Sequence, residues 1–142
     1  MSFNPTTVNA MAEFNAAFSQ TNVSSLIAGS LTDYYTDQFA IKYQKLNPNS
    51  KLDSQSLIHS LSPQALHFQQ HYISDNPHPL GSKDALISDK SGSTYDNVHK
   101  TYHEVFKDYI EHFGYYDIFL VDASTGFVVY SAFKELDYAT SL

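Results

Sequence analysis

Residues 93–133 read STYDNVHKTYHEVFKDYIEHFGYYDIFLVDASTGFVVYSAF, and this stretch decides the fold. In its first half, apolar residues recur at spacings of three and four positions from Val98 to Phe113. An α-helix brings residues at these spacings onto one face, which can then pack against a core. The pattern therefore predicts a helix over residues 94–113.

Both ends of this helix carry sequence signals. Ser93 is followed three positions later by Asp96, which resembles a capping box, the arrangement that satisfies free N–H groups at a helix start. Gly114 follows the last apolar residue, and glycine is the usual residue in the left-handed conformation that ends a helix. These signals place the helix between Ser93 and Gly114.

A β-hairpin is predicted directly after the helix. Residues 116–122 and 127–133 form two apolar runs of strand length, and Ala-Ser-Thr-Gly at 123–126 is typical of a turn. An isolated two-stranded hairpin is only marginally stable in water. We therefore expect further strands from a continuation of the chain or from another chain, and we favour a domain truncated at its C-terminal end.

Upstream of the hairpin, the spacing of apolar residues predicts a mostly helical chain. The whole is an α+β fold in a single domain over residues 1–142, in which four or five helices pack as a bundle against two antiparallel strands. Residues 1–8 are polar and contain Pro5, so we expect them to be disordered. Before the last helix, the predicted helices lie near residues 9–18, 26–43 (interrupted at Gly29), 53–61 and 63–74.

The composition excludes several classes of function. The chain has eight lysines, no arginine and a net charge of −7, so specific nucleic-acid binding is not expected. It has no cysteine, which excludes disulfides, thiol nucleophiles and thiolate metal sites. No nucleophile-elbow motif or glycine-rich phosphate loop is present, so we expect no enzymatic activity. No apolar run is long enough to span a membrane, and any membrane anchor would lie outside this chain.

The last third of the chain resembles a known family. The segments that carry this resemblance are similar to the extracytoplasmic sensor regions of bacterial methyl-accepting chemotaxis proteins, and the likeness covers about residues 70–142. They are FGYYDIFLVD (113–122), TG (125–126), VVYS (128–131) and FKELDYATSL (133–142), with shorter likenesses at 72–73, 76–77, 79–83, 98–99 and 102–103.

The resemblance implies a fold, a location and a function. The fold is an incomplete PAS-like, Cache-type sensor domain whose sheet opens with the hairpin. The location is the periplasmic part of an inner-membrane receptor, which acts as a homodimer. The function is to bind a small molecule and to pass a conformational signal across the membrane. The resemblance implies neither a catalytic residue nor a cofactor.

Polar and aromatic residues around the hairpin are the candidate ligand-binding residues. Tyr115, Tyr116 and Tyr130 can line an aromatic pocket, and core packing explains them equally well. Asp117 stands in an apolar strand, where a carboxylate is costly unless it is paired. We expect Asp117 either to hold a ligand amine or to pair with Lys134 at the end of the second strand, and we favour the pairing.

Two alternative functions stay open. One is a protein-interaction or dimerisation module without a small-molecule ligand, which would use the hairpin edge and the helices. The other is a metal- or haem-responsive sensor, because His99 and His103, like His67 and His71, are spaced to lie on one face of a helix. Hydrogen-bonded structural histidines at the same spacing are the more common case, and we favour that interpretation.

Overall fold

The structure, a computed structural model, describes residues 4–142 of the chain. Over these residues it confirms the α+β class, with five continuous helical stretches followed by a two-stranded antiparallel sheet. The elements are α1 (Pro5–Gln20), α2 (Gly29–Asp33), α3 (Ala40–Leu46), α4 (Ser54–Ser60), α5 (Pro63–Gln69), α6 (Thr94–Phe113), β1 (Phe119–Val121) and β2 (Val128–Ser131), with π-helical turns at Tyr34–Phe39 and Gln70–Ser74 and a 3-10 turn at Lys83–Ala85.

Helix α6 begins and ends where the sequence predicts. The Ser93 side chain accepts a hydrogen bond from the backbone N–H of Asp96 at 3.0 Å, which satisfies one of the free donors at the helix start. Gly114 ends the helix with a φ of 68°, in the left-handed region that costs glycine little. Local signals at both ends therefore suffice to position this helix.

The N-terminal helix begins earlier than expected. Asn4 caps α1 by accepting from the N–H of Thr6 at 2.9 Å, and Pro5 occupies the first helical turn, where its missing N–H has no cost. The prediction that residues 1–8 are disordered is therefore wrong for residues 5–8, which are helical, while residues 1–3 lie outside the described residues.

The second helical stretch begins at Gly29 rather than before it. Leu26, the first residue of the predicted helix, precedes the observed helix and is 81% exposed. From Gly29 the chain stays helical to Leu46, because the π-helical turn Tyr34–Phe39 joins α2 to α3 without a break. A π-helical turn contains one extra residue, which changes the side chains that face inward after it.

The sheet is smaller than predicted, but it is not isolated. Strands β1 and β2 pair over fewer residues than the apolar runs suggest, with an irregularity in the register at Leu120 and Val121. The outer edge of β2 bonds to the last residues: Val128 N–H donates to the Thr140 carbonyl at 2.8 Å, and Ala139 N–H donates to the Val128 carbonyl at 3.0 Å. This returning segment helps to stabilise the hairpin.

The core is an aromatic layer between α1, α5, α6 and β2. Phe14 on α1 is fully buried, and its ring centre lies 5.4 Å from that of Tyr95 on α6 and 4.7 Å from that of Tyr130 on β2. Burial of large rings dominates the stability of a core of this kind. None of the helices in residues 4–142 has the length and hydropathy needed to cross a membrane.

Candidate functional site

A cleft of about 740 Å³ opens between the helical stretch at Gly29–Leu46 and the segment that follows β2. This volume is in the range of small-molecule sites, roughly 300–1,000 Å³. Aromatic and aliphatic side chains dominate its walls, among them Tyr34, Phe39, Tyr43, Leu46, Tyr116 and Phe133.

Buried Gln69 holds the two walls of the cleft together. Its side-chain carbonyl accepts from the Tyr35 hydroxyl at 2.7 Å, and Tyr35 belongs to the helical wall. Its amide group donates to the backbone carbonyls of Leu136 and Tyr138 at 3.0 and 2.9 Å, in the segment that forms the other wall. Because all of these groups are buried or nearly so, breaking this bridge would leave polar groups unsatisfied. Gln69 therefore links the two walls of the cleft through buried hydrogen bonds.

Lys134 lies beneath the cleft with its ammonium group inside the protein. Its backbone has a φ of 58°, a left-handed conformation that is uncommon for a non-glycine residue, and its side chain is buried. The ammonium donates to the Ser131 carbonyl and lies 4.4, 5.4 and 6.0 Å from the ring centres of Tyr130, Tyr138 and Tyr72. Burial lowers the pKa of Lys134 to about 7, although the negative charges of nearby carboxylates oppose the shift.

A second lysine, Lys83, is buried at the other end of the cleft. Its ammonium donates to the Asn76 carbonyl at 2.8 Å and lies 5.4 Å from the ring centre of Tyr34. Burial lowers its pKa from the usual value. Within residues 4–142, neither Lys83 nor Lys134 has a carboxylate at ion-pair distance. Two ammonium groups held by carbonyls and aromatic rings therefore lie behind the cleft walls.

Carboxylates complete the polar part of the cleft. Glu135 is exposed at the mouth and accepts from the Tyr116 hydroxyl at 3.2 Å. Asp137 has one buried carboxylate oxygen with no hydrogen-bond partner among the described residues, and burial raises its pKa. The exposed Lys42 is the only ammonium on the described lining that is open to solvent. The cleft therefore presents both signs of charge beside an apolar surface.

The structure brings three of the five predicted ligand-binding residues to the cleft. Tyr115, Tyr116 and Lys134 all line it, and the two tyrosines are largely exposed. Tyr130 is fully buried, so its ring contacts Lys134 from the core side and does not face the cleft. Asp117 also lies outside the cleft lining.

Asp117 does not form the expected pair with Lys134. Its carboxylate accepts from the Ser131 hydroxyl at 2.9 Å and from the N–H groups of Ala132 and Phe133 at 3.1 and 3.2 Å. These bonds hold the turn that follows β2, in the way that a side-chain carboxylate caps a helix start. The left-handed backbone at Lys134 sends that side chain into the core, where tyrosine rings surround it.

His99 and His103 stack in the core, with ring centres 4.4 Å apart. The Nδ1 atom of His99 lies 2.8 Å from the Ile87 carbonyl. His103 uses both nitrogens, with Nδ1 2.6 Å from the Tyr130 hydroxyl and Nε2 2.7 Å from the Asp84 carbonyl. Burial and the charge of Lys134 lower the pKa of both rings, to about 3 for His103. Three of the four ring nitrogens are thus engaged by protein groups, which does not favour metal binding.

The other histidine pair is partly exposed. His71 Nδ1 bonds to the Asp89 carboxylate at 2.8 Å, which raises the pKa of His71, whereas burial lowers the pKa of the adjacent His67. In the described part of the chain, no group of three or more histidine and carboxylate side chains is arranged to hold a metal ion.

Sequence reasoning missed the helical wall of the cleft. Tyr34, Phe39 and Tyr43 have helical spacing, which predicts a helix but no binding role, and Leu46 lies just beyond the predicted helix. One signal was present: α3 carries apolar residues on more than one face, and Ile41 and Leu46 remain largely exposed. A helix that is apolar on several sides covers more than one surface.

Comparisons with known proteins identify no relative of this chain: no protein-family model, no curated protein and no solved structure matches it. The function is therefore argued from the geometry of the cleft.

Proposed function

We propose that this chain is a non-enzymatic sensing module that binds a small organic molecule in the cleft between Gly29–Leu46 and the segment after β2. The observation that carries the proposal is the cleft itself, which has an aromatic lining, charged groups of both signs and walls joined through Gln69. A ligand with an apolar body and a few polar groups matches this lining.

The position of the cleft also supports a signalling role. A molecule in the cleft would contact Phe133 and Leu136, which lie in the segment that continues β2. That segment contains Lys134 and is tied to the core through Gln69 on α5, so a shift of the wall would reach α5 and the hairpin. A ligand can produce a signal only if the cleft wall has two positions and the ligand binds more tightly to one of them. The resemblance to chemotaxis sensor regions suggests the periplasmic part of a homodimeric membrane receptor as the setting.

The test is a thermal-unfolding screen of the chain against amino acids, organic acids, amines, nucleosides and divalent metals. A ligand at a hundred times its dissociation constant stabilises the folded state by about 2.7 kcal/mol, which shifts the midpoint by several degrees. We expect at least one organic compound to do so. A response to divalent metals alone, or to nothing in a panel that covers these classes, would contradict binding in the cleft.

Matched variants locate the bound molecule. Leu46 and Tyr116 line the cleft but are 70% and 81% exposed, so Leu46→Ser and Tyr116→Ser remove cleft surface without removing core. Leu26→Ser is the control, because Leu26 is equally exposed and lies outside the cleft. We expect the ligand-induced shift to fall in the first two variants and to persist in the control. If the ligand-induced shift were lost only in Leu26→Ser, the binding site would lie outside the cleft.

A second candidate function, an interaction module, is favoured by an exposed aromatic surface at the root of the hairpin. Phe113 and Tyr115 stack with their ring centres 5.6 Å apart, yet both remain more than half exposed, beside the still more exposed Tyr116. Contiguous apolar surface of this kind is typical of association sites. In sedimentation experiments, dimerisation that Phe113→Ser abolishes would support this candidate, and a monomer at all concentrations would count against it.

A further inference from the structure

The aromatic core contains a group of buried polar side chains whose hydrogen bonds can be counted one by one. The Tyr95 hydroxyl donates to the Val129 carbonyl at 2.6 Å, and the Tyr138 hydroxyl donates to Tyr95 at 2.9 Å. The Tyr72 hydroxyl donates to the Asp96 carboxylate at 2.9 Å. Buried polar groups in folded proteins nearly always have such partners, so an exception requires an explanation.

The exception in this group is the Nε2 atom of His99. It is buried and has no hydrogen-bond partner among the described residues. The other ring nitrogen, Nδ1, lies 2.8 Å from the Ile87 carbonyl, and a carbonyl oxygen can only accept. The proton of the neutral ring therefore belongs on Nδ1, and Nε2 presents a free lone pair that requires a donor.

The neighbouring His103 shows the opposite arrangement, and it is complete. Its Nε2 faces the Asp84 carbonyl, so that nitrogen carries the proton. Its Nδ1 then accepts from the Tyr130 hydroxyl at 2.6 Å. The two stacked rings are thus opposite tautomers, and His99 alone lacks one partner.

Unused donors are present in the same group. The Lys134 ammonium has three N–H donors, and the Ser131 carbonyl takes one of them. Tyrosine rings surround the rest of the ammonium, and a ring face attracts a cation without replacing a hydrogen-bond acceptor. His99 lies against two of the same rings, with its centre 4.9 Å from that of Tyr72 and 5.8 Å from that of Tyr130. The free acceptor and the free donors therefore lie beside the same two tyrosine rings.

We propose that this group is a binding site for one internal water molecule, which donates a hydrogen bond to His99 Nε2 and accepts one from the Lys134 ammonium. A water molecule supplies a donor and an acceptor at once, and buried waters in proteins commonly bridge groups that would otherwise be unsatisfied. An anion does not fit, because the lone pair of Nε2 would repel it.

By bridging His99 and Lys134, the water would join two separate parts of the fold. His99 belongs to α6, and Lys134 belongs to the segment that walls the cleft. The water therefore connects α6 to the cleft wall at a point where the protein itself provides no hydrogen bond between the two residues. This connection holds whether or not the cleft binds a ligand, so the proposal is independent of the proposed function.

A crystal structure of the chain at a resolution that shows ordered waters tests the site. We expect a water oxygen at about 2.7–3.2 Å from both His99 Nε2 and Lys134 Nζ. Nitrogen NMR of the two rings is the second measurement: we expect the proton on Nδ1 in His99 and on Nε2 in His103. A direct contact between Lys134 and His99, an unoccupied site, or a proton on Nε2 of His99 would each overturn the proposal.

A variant tests the bridge separately from the fold. Lys134→Met replaces the ammonium with an apolar group of similar length, and we expect the water to be lost from the crystal structure while His103 keeps its bond to Tyr130. A water that stays bound at His99 in this variant would show that Lys134 is not its partner. If the variant does not fold, the wild-type structure and the tautomers of the two histidines still decide the proposal.

Discussion

Tyrosine is prominent both in the core beneath the cleft and on the surface of the cleft. In the core the tyrosine rings are buried, whereas some of those at the cleft surface are exposed. We name four of the buried tyrosines, Tyr72, Tyr95, Tyr130 and Tyr138, the tyrosine cluster; all four rings are buried, and each hydroxyl forms a hydrogen bond. Tyr116 at the cleft is 81% exposed, and its hydroxyl forms one bond at the surface. The cluster therefore contributes stability, and the cleft surface is left free to bind.

The largest expected effect on stability comes from removing an aromatic ring from the core. Phe14→Ala deletes the ring that contacts Tyr95 and Tyr130, and a cavity in a rigid aromatic core is not readily closed. We expect a loss of about 3–5 kcal/mol in the free energy of unfolding, measured by urea denaturation. Leu26→Ala is the control, and we expect it to change the value by less than about 0.5 kcal/mol. If the free energy of unfolding changed as little in Phe14→Ala as in Leu26→Ala, Phe14 would not be a core residue.

Lys134 gives the next largest effect, because the folded state buries its charge. Its folded pKa is about 7 against an ordinary value of 10.5, so between these pH values the unfolded chain binds a proton that the folded chain does not. The free energy of unfolding should therefore rise with pH from about 7 to 9.5, below the range where tyrosines ionise.

Lys134→Met removes this titration. We expect the rise with pH to flatten, and the free energy of unfolding at pH 6.5 to increase by about 1–3 kcal/mol, because the lost cation–π contact and hydrogen bond offset part of the gain. Lys100→Met, at an exposed position on α6, should keep the wild-type slope. A wild-type slope in Lys134→Met would mean that the charge of Lys134 is not what opposes folding.

The core histidines give a smaller effect on the acid side. Burial holds the pKa of His103 at about 3 and lowers that of His99, so below pH 6.5 the unfolded chain takes up protons that the folded chain excludes. The free energy of unfolding should fall as the pH decreases from 6.5 to 4.5. His71, whose pKa is raised by Asp89, acts at higher pH: its stabilising contribution is complete below pH 6.5 and is lost as the pH rises above that value.

A variant isolates the contribution of one histidine. His103→Gln should reduce the slope by one proton, or about 1.4 kcal/mol per pH unit, whatever the change in overall stability. Urea denaturation at several pH values measures the slope. His59→Gln, on the exposed face of α4, is the matched control and should leave the slope closer to that of wild type. Equal slopes for His103→Gln and wild type would indicate that His103 is protonated in the folded state.

The two regions also differ in how far the sequence predicts them. Helix α6 was predicted to the residue, because its cap at Ser93, its apolar spacing and Gly114 are local signals that agree. The hairpin was predicted with the correct turn but with strands that were too long, since residue patterns do not show where a register irregularity such as that at Leu120 shortens the pairing. Local chemistry determines elements of this kind.

The cleft depends on contacts that no local pattern contains. Its two walls are far apart in sequence and meet through Gln69, a polar residue that looks like an ordinary helical position. The inward direction of Lys134 depends on a left-handed backbone at a non-glycine residue, which the sequence does not indicate. Tyr115, Tyr116 and Lys134, predicted from their place beside an apolar hairpin, do line the cleft, and their binding of a ligand stays a prediction.

The smallest expected effect on stability comes from replacing a residue on the cleft surface. Such a replacement tests whether a cleft residue contributes to the stability of the fold. Tyr116→Ser removes a large aromatic side chain, as Phe14→Ala does, but Tyr116 is already in contact with water in the folded state. Little apolar area returns to water when such a residue is replaced, so the free energy of unfolding should change by less than about 0.5 kcal/mol. Urea denaturation beside Leu26→Ser, which is equally exposed, measures this directly. A loss of more than about 2 kcal/mol would mean that Tyr116 packs into the protein in solution, and the cleft would then be closed rather than available to a ligand.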